Sequence, residues 1–393
     1  MFASAVQRIR AVFRRRLERR SVDPLQQYLL VVDWLNTVLK PVGCDIFTAG
    51  FSSTNPLACN TMVNIGLFFC LNVYNLWRTR AVLIDFMFCF ATMLYVVMMS
   101  AKMEVFVHRN NQIRELHGFN RRFYDRFKRG DQAQRDLLTD YTTDTCLLVT
   151  VFAISSSPML LFVFILALLW SALVEFTLPF AYVLPGIGYD YLLGFAINMA
   201  YQLLECTLTT IGIVASEGIF FTLVLNACLH LDMLRLDLSR LAALCQTDDG
   251  DGEDRTREIR DRIRTIIEHH NAQRDYTNKL CGLFELHFFI IFGCISCQLI
   301  SIVVVVVLVP DWFPGYFLFF MLTGQIFFSC TLGEILDLKC DALRVAIYNV
   351  PWYRMEARDQ KAMQLLLLAS QWPTLISYRF GTVNIRAFFK ILA

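Results

Sequence analysis

Charged residues are scarce in this chain, and long stretches contain none. Only 18% of its 393 residues are Asp, Glu, Lys or Arg, 56% are hydrophobic, and the mean hydropathy is +0.48. A typical soluble domain is about 25% charged. Several uncharged runs reach the roughly 20 apolar residues that cross a bilayer. The composition excludes an ordinary soluble protein and predicts an all-α, polytopic membrane protein.

The chain also lacks the marks of secreted and nucleic-acid-binding proteins. Its first twenty residues hold seven arginines and no apolar core of a signal peptide, so we expect this end to stay in the cytoplasm. It is expected to form either an interfacial helix on anionic lipid or a solvated arm. The net charge of +2 is not gathered into a basic stripe for nucleic acid, and the thirteen cysteines form no disulfide framework.

Three short motifs have the spacing of metal or cofactor sites but not their context. Cys294 and Cys297 lie inside an apolar run with no second pair of ligands. The acidic turn that begins at Asp249 lacks the Gly and the final Glu of a calcium loop. The glycines 186 and 188 are not part of a strand-to-helix turn. We therefore expect no metal, no cofactor and no enzymatic activity.

Six apolar stretches predict membrane-spanning helices, and a seventh crossing is expected near the C-terminus. The six are residues 56–77, 81–100, 145–173, a stretch from 195, 283–309 and 316–336. The polar, basic residues 101–144 have helical spacing but no charge-free run long enough to span, and are expected to form a sizeable cytoplasmic loop between two spans. The predicted organisation is a cytoplasmic segment (1–55), six helices with cytoplasmic extensions (56–336), and an anchor segment followed by a two-part seventh helix (337–393).

The positive charges alternate along the chain. Lys and Arg number eight in residues 1–50, two after the first span, nine after the second, none after the third, nine after the fourth, none after the fifth and five after the sixth. Positive charge is retained on the cytoplasmic side. This predicts a cytoplasmic N-terminus and, with seven crossings, an extracellular C-terminus.

The last third of the chain carries a specific pattern of residues. An apolar span ends in Cys-x-x-Gly-Glu, a Trp-Tyr pair follows, and the terminal segment reads Phe-x-x-Val-x-Ile-x-x-Phe. The matching residues are Cys330, Gly333, Glu334, Trp352, Tyr353, Phe380, Val383, Ile385 and Phe388. This pattern resembles the C-terminal signature of insect odorant receptors.

The resemblance implies an odorant-gated, non-selective cation channel in the plasma membrane of olfactory neuron dendrites. The chain lacks the insertion that the family's shared co-receptor carries before its fifth span. It therefore resembles a tuning subunit that detects a small volatile odorant and forms a heterotetramer with that co-receptor. A gustatory receptor of the same architecture is the first alternative. A G-protein-coupled receptor conflicts with the predicted topology, and a transporter with the absence of an inverted repeat.

The resemblance also implies functional positions. The elements that join subunits and line the pore would include Cys330, Glu334, Trp352, Tyr353, Phe380, Val383, Arg386, Phe388 and Lys390. A volatile ligand needs a closed apolar pocket with few polar groups, which the resemblance places in the outer half of the bundle. Its expected lining is Phe86, Phe90, Ser155, Met159, Phe162, Tyr201, Phe320 and Gln325, each of a residue type that also serves as helix core. Asp85 and Glu205 are costly in lipid and are expected to face the interior.

The terminal segment, residues 376–393, is expected to rise toward the outside as a helix of about 27 Å. The chain ends before family members generally do, so we expect any current to depend on the co-receptor's final helices. Arg379, Arg386 and Lys390 would share one face of that helix. This basic face is expected to meet the pore, a neighbouring subunit or headgroups, with Glu334 as a candidate partner.

Overall fold

The computed structural model describes residues 23–48, 50–52, 54–180, 182–246, 252–310 and 313–392, without the side chains of 157–160, 252 and 313–314. The all-α prediction is confirmed, since these residues form ten α-helices and one two-stranded hairpin. The helices are α1 (Pro24–Leu39), α2 (Pro56–Thr79), α3 (Leu83–His108), α4 (Asn110–Phe127), α5 (Gln132–Leu173), α6 (Leu192–Gln246), α7 (Gly252–Leu308), α8 (Phe313–Asn349), α9 (Ala357–Ser370) and α10 (Ile385–Leu392). The hairpin joins β1 (Ser377–Tyr378) to β2 (Gly381–Thr382). The basic arm, residues 1–22, lies outside the described residues.

Among the described residues, six helices are long and apolar enough to cross a membrane, as the hydropathy predicts. They are α2, α3, α5, α6, α7 and α8. The 55 residues of α6 extend over about 80 Å, far beyond a hydrocarbon core of about 30 Å. The chain is therefore a multi-pass membrane protein whose longest helices continue well outside the membrane.

The central element is α6. Every one of its residues from Ile213 to Leu234 is buried, because α1, α3, α5, α7 and α8 all pack on it. Close packing requires a small residue where α1 crosses. A Cβ on Gly218 would lie 2.5 Å from Leu35 Cδ2.

Residues 101–144, between the second and third predicted spans, are mostly helical, in agreement with their helical spacing. The helix α3 continues through Lys102 to His108, α4 follows, and α5 already begins at Gln132. The reason is amphipathic spacing, since Ile113, Leu116 and Phe123 point inward while their charged neighbours remain at the surface. We call α1, α4, α9, residues 213–246 of α6 and residues 252–282 of α7 the inner body.

The inner body contains a stack of aromatic rings between α1 and α4. The Tyr28 ring stacks on Tyr124 at 4.8 Å between centroids and on His117 at 5.6 Å, and Tyr28 Oη is hydrogen-bonded to His117 Nδ1 at 2.9 Å. Burial lowers the pKa of His117 to about 4. Arg121 adds to this effect, and Asp33 opposes it. The imidazole is therefore neutral at physiological pH.

The terminal segment departs from the predicted helix. After Pro373 the chain forms the hairpin, which is extended by a hydrogen bond from Val383 N to Ile376 O at 2.8 Å. The prediction of a helix that starts at Ile376 is therefore wrong. The eight residues of α10 cover only about 12 Å. Arg379 lies in the hairpin turn, so the expected face of three cations is reduced to the exposed Arg386 and Lys390.

Candidate functional site

An apolar cavity of about 90 Å³ lies among five of the long helices, at the level where full burial of α6 begins. Aromatic and aliphatic side chains form most of its wall. Its lining is Phe88, Ala91, Thr92 and Tyr95 of α3, Val163 of α5, Phe180 of the loop before α6, Cys206, Thr210 and Ile213 of α6, Gln298 and Ile302 of α7, and Phe317, Leu318, Met321, Leu322 and Gln325 of α8. Such a wall suits a small, mostly apolar ligand.

Two glutamines provide the amide groups of this wall. Gln298 Nε2 donates to the carbonyl oxygen of Ala91 at 2.9 Å, which joins α7 to α3. Gln325 Nε2 donates to Glu217 Oε1 at 2.9 Å, which joins α8 to α6. Both side chains are more than nine-tenths buried. They are therefore held in place before any ligand arrives.

A buried ion pair lies directly behind Gln325. Lys102 Nζ is 2.6 Å from Glu217 Oε1 and donates to Ser216 Oγ at 2.8 Å. The side chains of Lys102 and Glu217 are 1% and 3% exposed. Ser329 Oγ donates to the second carboxylate oxygen of Glu217 at 3.4 Å. Because the pair is enclosed and hydrogen-bonded, it fixes α3, α6 and α8 relative to one another just below the cavity.

The loop between α5 and α6 covers the outer end of the cavity. Three amide side chains hold its main chain: Asn75 bonds both the N–H and the carbonyl of Val183, Gln202 bonds Phe180, and Asn198 bonds the N–H of Leu184. Phe180 and Phe88 line both the cavity and a polar surface groove of about 680 Å³. These two rings therefore separate the cavity from the outer groove.

Of the predicted pocket residues with described side chains, only Gln325 lines the cavity. Phe162 packs against its lining residue Phe317, with ring centroids 4.6 Å apart. Tyr201 contacts the neighbouring rings of Phe68 and Tyr182. The remaining predicted residues lie elsewhere: Phe86 and Phe90 stack on each other, Ser155 is exposed, Phe320 is 68% exposed, and the Met159 side chain is outside the described residues.

The two acidic residues expected to face the interior differ. Glu205 is 3% exposed and accepts a hydrogen bond from Asn64 Nδ2 at 2.7 Å, as expected of a carboxyl group within the bundle. Asp85 is exposed and lines the outer groove. The expectation for Asp85 is wrong because α3 begins only two residues earlier, at Leu83, so this carboxylate lies in the first helical turn.

The Cys-x-x-Gly-Glu motif explains how the terminal segment attaches to α8. A Cβ on Gly333 would lie 1.9 Å from the carbonyl oxygen of Val383, so only glycine permits this approach. Glu334 Oε2 accepts the Ile385 N–H at 3.3 Å, at the N-terminus of α10, where a negative charge is favourable. Cys330, Val383 and Phe388 are all buried. We call this contact between α8 and residues 383–388 the terminal seam.

Other residues of the signature lie at the surface. Trp352, Tyr353 and Phe380 are 37%, 68% and 82% exposed. Further large apolar side chains are exposed on or beside α9, outside the six spans: Leu365, Leu368 and Trp372. The protein therefore has an uncovered apolar surface around its terminal third.

In the described part of the chain, six apolar spans and a small, partly open apolar cavity define the class of protein, a multi-pass helical membrane protein with a cavity of small-ligand size. The family model described as 7tm Odorant receptor matches residues 78–393, and the chain belongs to this family. It is an insect odorant receptor by family, which places it among receptors and not among enzymes.

Comparisons with individual proteins are consistent with membership of this family. Odorant receptor 22c of Drosophila melanogaster is 25% identical over 225 residues, which are 55% of each chain, so this chain spans about half the length of the curated relative it matches. The structure of the insect olfactory receptor OR5 from Machilis hrabei in complex with eugenol is similar, with a TM-score of 0.71 and 14% identity over 93% of this chain and 96% of that one. The same receptor's structure described without eugenol has a TM-score of 0.71 and 12% identity. These structures share the fold.

Proposed function

We propose that this chain is the odorant-binding, tuning subunit of a ligand-gated cation channel in the dendritic membrane of olfactory neurons, assembled with the odorant receptor co-receptor. The observation that carries the proposal is the apolar cavity with two fixed glutamines. The eugenol complex of OR5 supports a small aromatic volatile as the type of ligand. Family membership supports the rest of the assignment.

The size of the cavity suggests how binding acts on the channel. At about 90 Å³ it is smaller than a cavity of about 150 Å³ that accepts benzene. A ligand of that size must displace lining side chains, such as Met321 or Phe88. Binding then favours a conformation with a wider cavity, and the ligand shifts the closed–open equilibrium by its difference in affinity for the two states.

The exposed apolar side chains support assembly with a partner subunit. Trp352, Tyr353 and Trp372 follow the last residue of α8, Asn349, and their side chains are exposed. We propose that the co-receptor covers this surface in a heterotetramer. Trp352→Ala is then expected to reduce recovery of the complex by co-purification, whereas Phe320→Ala, at an exposed position on a span, leaves it unchanged.

Narrowing the cavity tests the site. Ala91→Leu adds volume to the wall and is expected to raise the half-maximal odorant concentration for the current by about fivefold to a hundredfold, since overpacking a filled site costs about 1–3 kcal/mol. Ala172→Leu makes the same change at an exposed position of α5 and serves as the matched control. Equal dose–response curves for the two variants, at equal surface expression, would contradict the assignment of the cavity.

A further inference from the structure

We infer that the cavity selects volatile ligands that donate a hydrogen bond, such as small alcohols and phenols, over ethers of the same size. The inference rests on the proposed function, because it takes the cavity as the odorant site. It names a specificity-determining residue, Gln298, that the sequence pattern did not single out.

The orientation of both glutamines follows from their partners. Gln298 faces the carbonyl oxygen of Ala91, and Gln325 faces the Glu217 carboxylate that is paired with Lys102. These partners accept hydrogen bonds and do not donate them, so the amide nitrogen must be the contacting atom in each case. The amide oxygens then have no protein donor in the described ranges, and a ligand hydroxyl reaches Gln298 Oε1 when the ligand displaces the side chains that cover it. Gln298 Oε1 is buried without a hydrogen-bond partner, and no donor among the described residues bonds Gln325 Oε1.

The hydroxyl groups of the wall strengthen this excess of acceptors. Thr92 and Thr210 donate their protons to the carbonyl oxygens of Phe88 and Cys206, at 3.0 and 2.8 Å, so only their lone pairs remain. Within the described part of the chain, the Tyr95 hydroxyl has no hydrogen-bond partner, and it can donate or accept. The wall therefore offers several acceptors and one free hydroxyl.

A ligand hydroxyl matches this arrangement. It can donate to Gln298 Oε1 and accept from Tyr95, whereas an ether oxygen can only accept. An ether leaves the buried Gln298 oxygen unpaired, as it is before binding, whereas a hydroxyl gains this hydrogen bond when it binds. A site built to bond a hydroxyl group discriminates strongly against the analogue that lacks it.

Three isomers of one composition test the inference: p-cresol and benzyl alcohol, which donate a hydrogen bond, and anisole, which does not. Binding is measured by ligand-dependent thermal stabilisation of the purified full chain in lipid nanodiscs. We expect the wild type to bind at least one of the two donors about tenfold more tightly than anisole. Gln298→Met keeps the side-chain length and removes the amide, and is expected to abolish this preference, measured as the ratio of the donor and anisole affinities of the same variant. Gln112→Met makes the same exchange at an exposed position of α4, away from the cavity, and is the matched control, expected to keep the preference.

The outcomes separate the inference from the proposed function. Equal binding of all three isomers to the wild type, or a preference that survives in Gln298→Met, overturns the inference and leaves the odorant site in place. No binding of any isomer to a folded, monodisperse wild type, with no effect of Ala91→Leu on current evoked by any volatile, overturns the proposed function and the inference with it.

Discussion

The outer and inner parts of α6 are packed differently. From Leu192 to Gly212, exposed residues such as Leu192, Leu193 and Leu203 alternate with buried ones. From Ile213 to Leu234, no residue is exposed. Both parts are apolar, so hydropathy does not distinguish them. The difference lies in the neighbours, because the inner part is enclosed by helices on all sides and the outer part is not.

This contrast explains the place of the cavity. A volume for a ligand exists only where packing is incomplete, and Cys206, Thr210 and Ile213 bring α6 to the cavity where its dense packing begins. The closely packed inner body does not deform continuously. The cavity is connected to the inner body through Gln325 and the Lys102–Glu217 pair. We therefore expect a ligand that widens the cavity to shift the inner body as a unit.

The largest expected effect comes from breaking that ion pair at the boundary between the two regions. Lys102→Met leaves Glu217 buried without its cation, and removal of one partner of a buried pair costs about 3–5 kcal/mol. We expect a large fall in thermal stability in detergent. The double variant Lys102→Met with Glu217→Gln is expected to recover most of the loss. If Lys102→Met alone were as stable as the wild type, the ion pair would not stabilise the packing of α3, α6 and α8.

The next effect concerns the terminal seam. Gly333→Ala places a methyl group against the Val383 carbonyl and is expected to displace residues 383–388, at a cost of about 1–3 kcal/mol. Gly324→Ala is the matched control on the same helix, where a Cβ meets nothing within 4 Å. It is expected to be neutral or to stabilise by up to about 1 kcal/mol. We expect protease to cleave the terminal segment faster in Gly333→Ala than in Gly324→Ala. Equal rates of cleavage would contradict the requirement for glycine at position 333.

The third effect is a pH dependence of the inner body, which is smallest at neutral pH and grows as the pH falls. The pKa of His117 is about 4 in the folded protein against 6.5 for the free side chain, so the unfolded chain binds more protons between these values. Stability is full above about pH 6.5 and falls as pH drops toward 4, by up to about 3 kcal/mol. Burial also lowers the pKa of His270, which adds to the fall. In His117→Phe, the melting temperature is expected to change less between pH 7 and about pH 5 than in the wild type. An unchanged dependence on pH would show that His117 is not its source.

Much of the fold follows from the sequence because the spans are long and nearly free of charge. Hydropathy is insensitive to which face of such a helix is buried, and this is why Phe320 was assigned to the pocket although it is 68% exposed. Gln298 carried a usable signal. It is an amide within the apolar run that ends in five successive valines, and a polar residue at such a place faces the interior.

Two further differences between prediction and structure concern Lys102 and the terminal hairpin. Lys102 was counted among nine positive residues after the second span, yet it is buried and paired with Glu217. Without it eight remain, so the alternation that predicts the topology is unchanged. In place of the hairpin at 377–382 a helix is predicted from the sequence, although Tyr378, Phe380 and Thr382 are of residue types that favour strands.

The central claim is that the volatile ligand occupies the cavity between the loosely packed and the fully packed parts of the bundle. A cryo-electron microscopy structure of the full chain, determined with and without p-cresol, tests it most directly. The account predicts ligand density enclosed by Phe88, Met321 and Gln325, with an oxygen within hydrogen-bond distance of Gln298 Oε1. Density only in the outer groove beside Asp85, or between α2 and α6 beside Glu205, would contradict it.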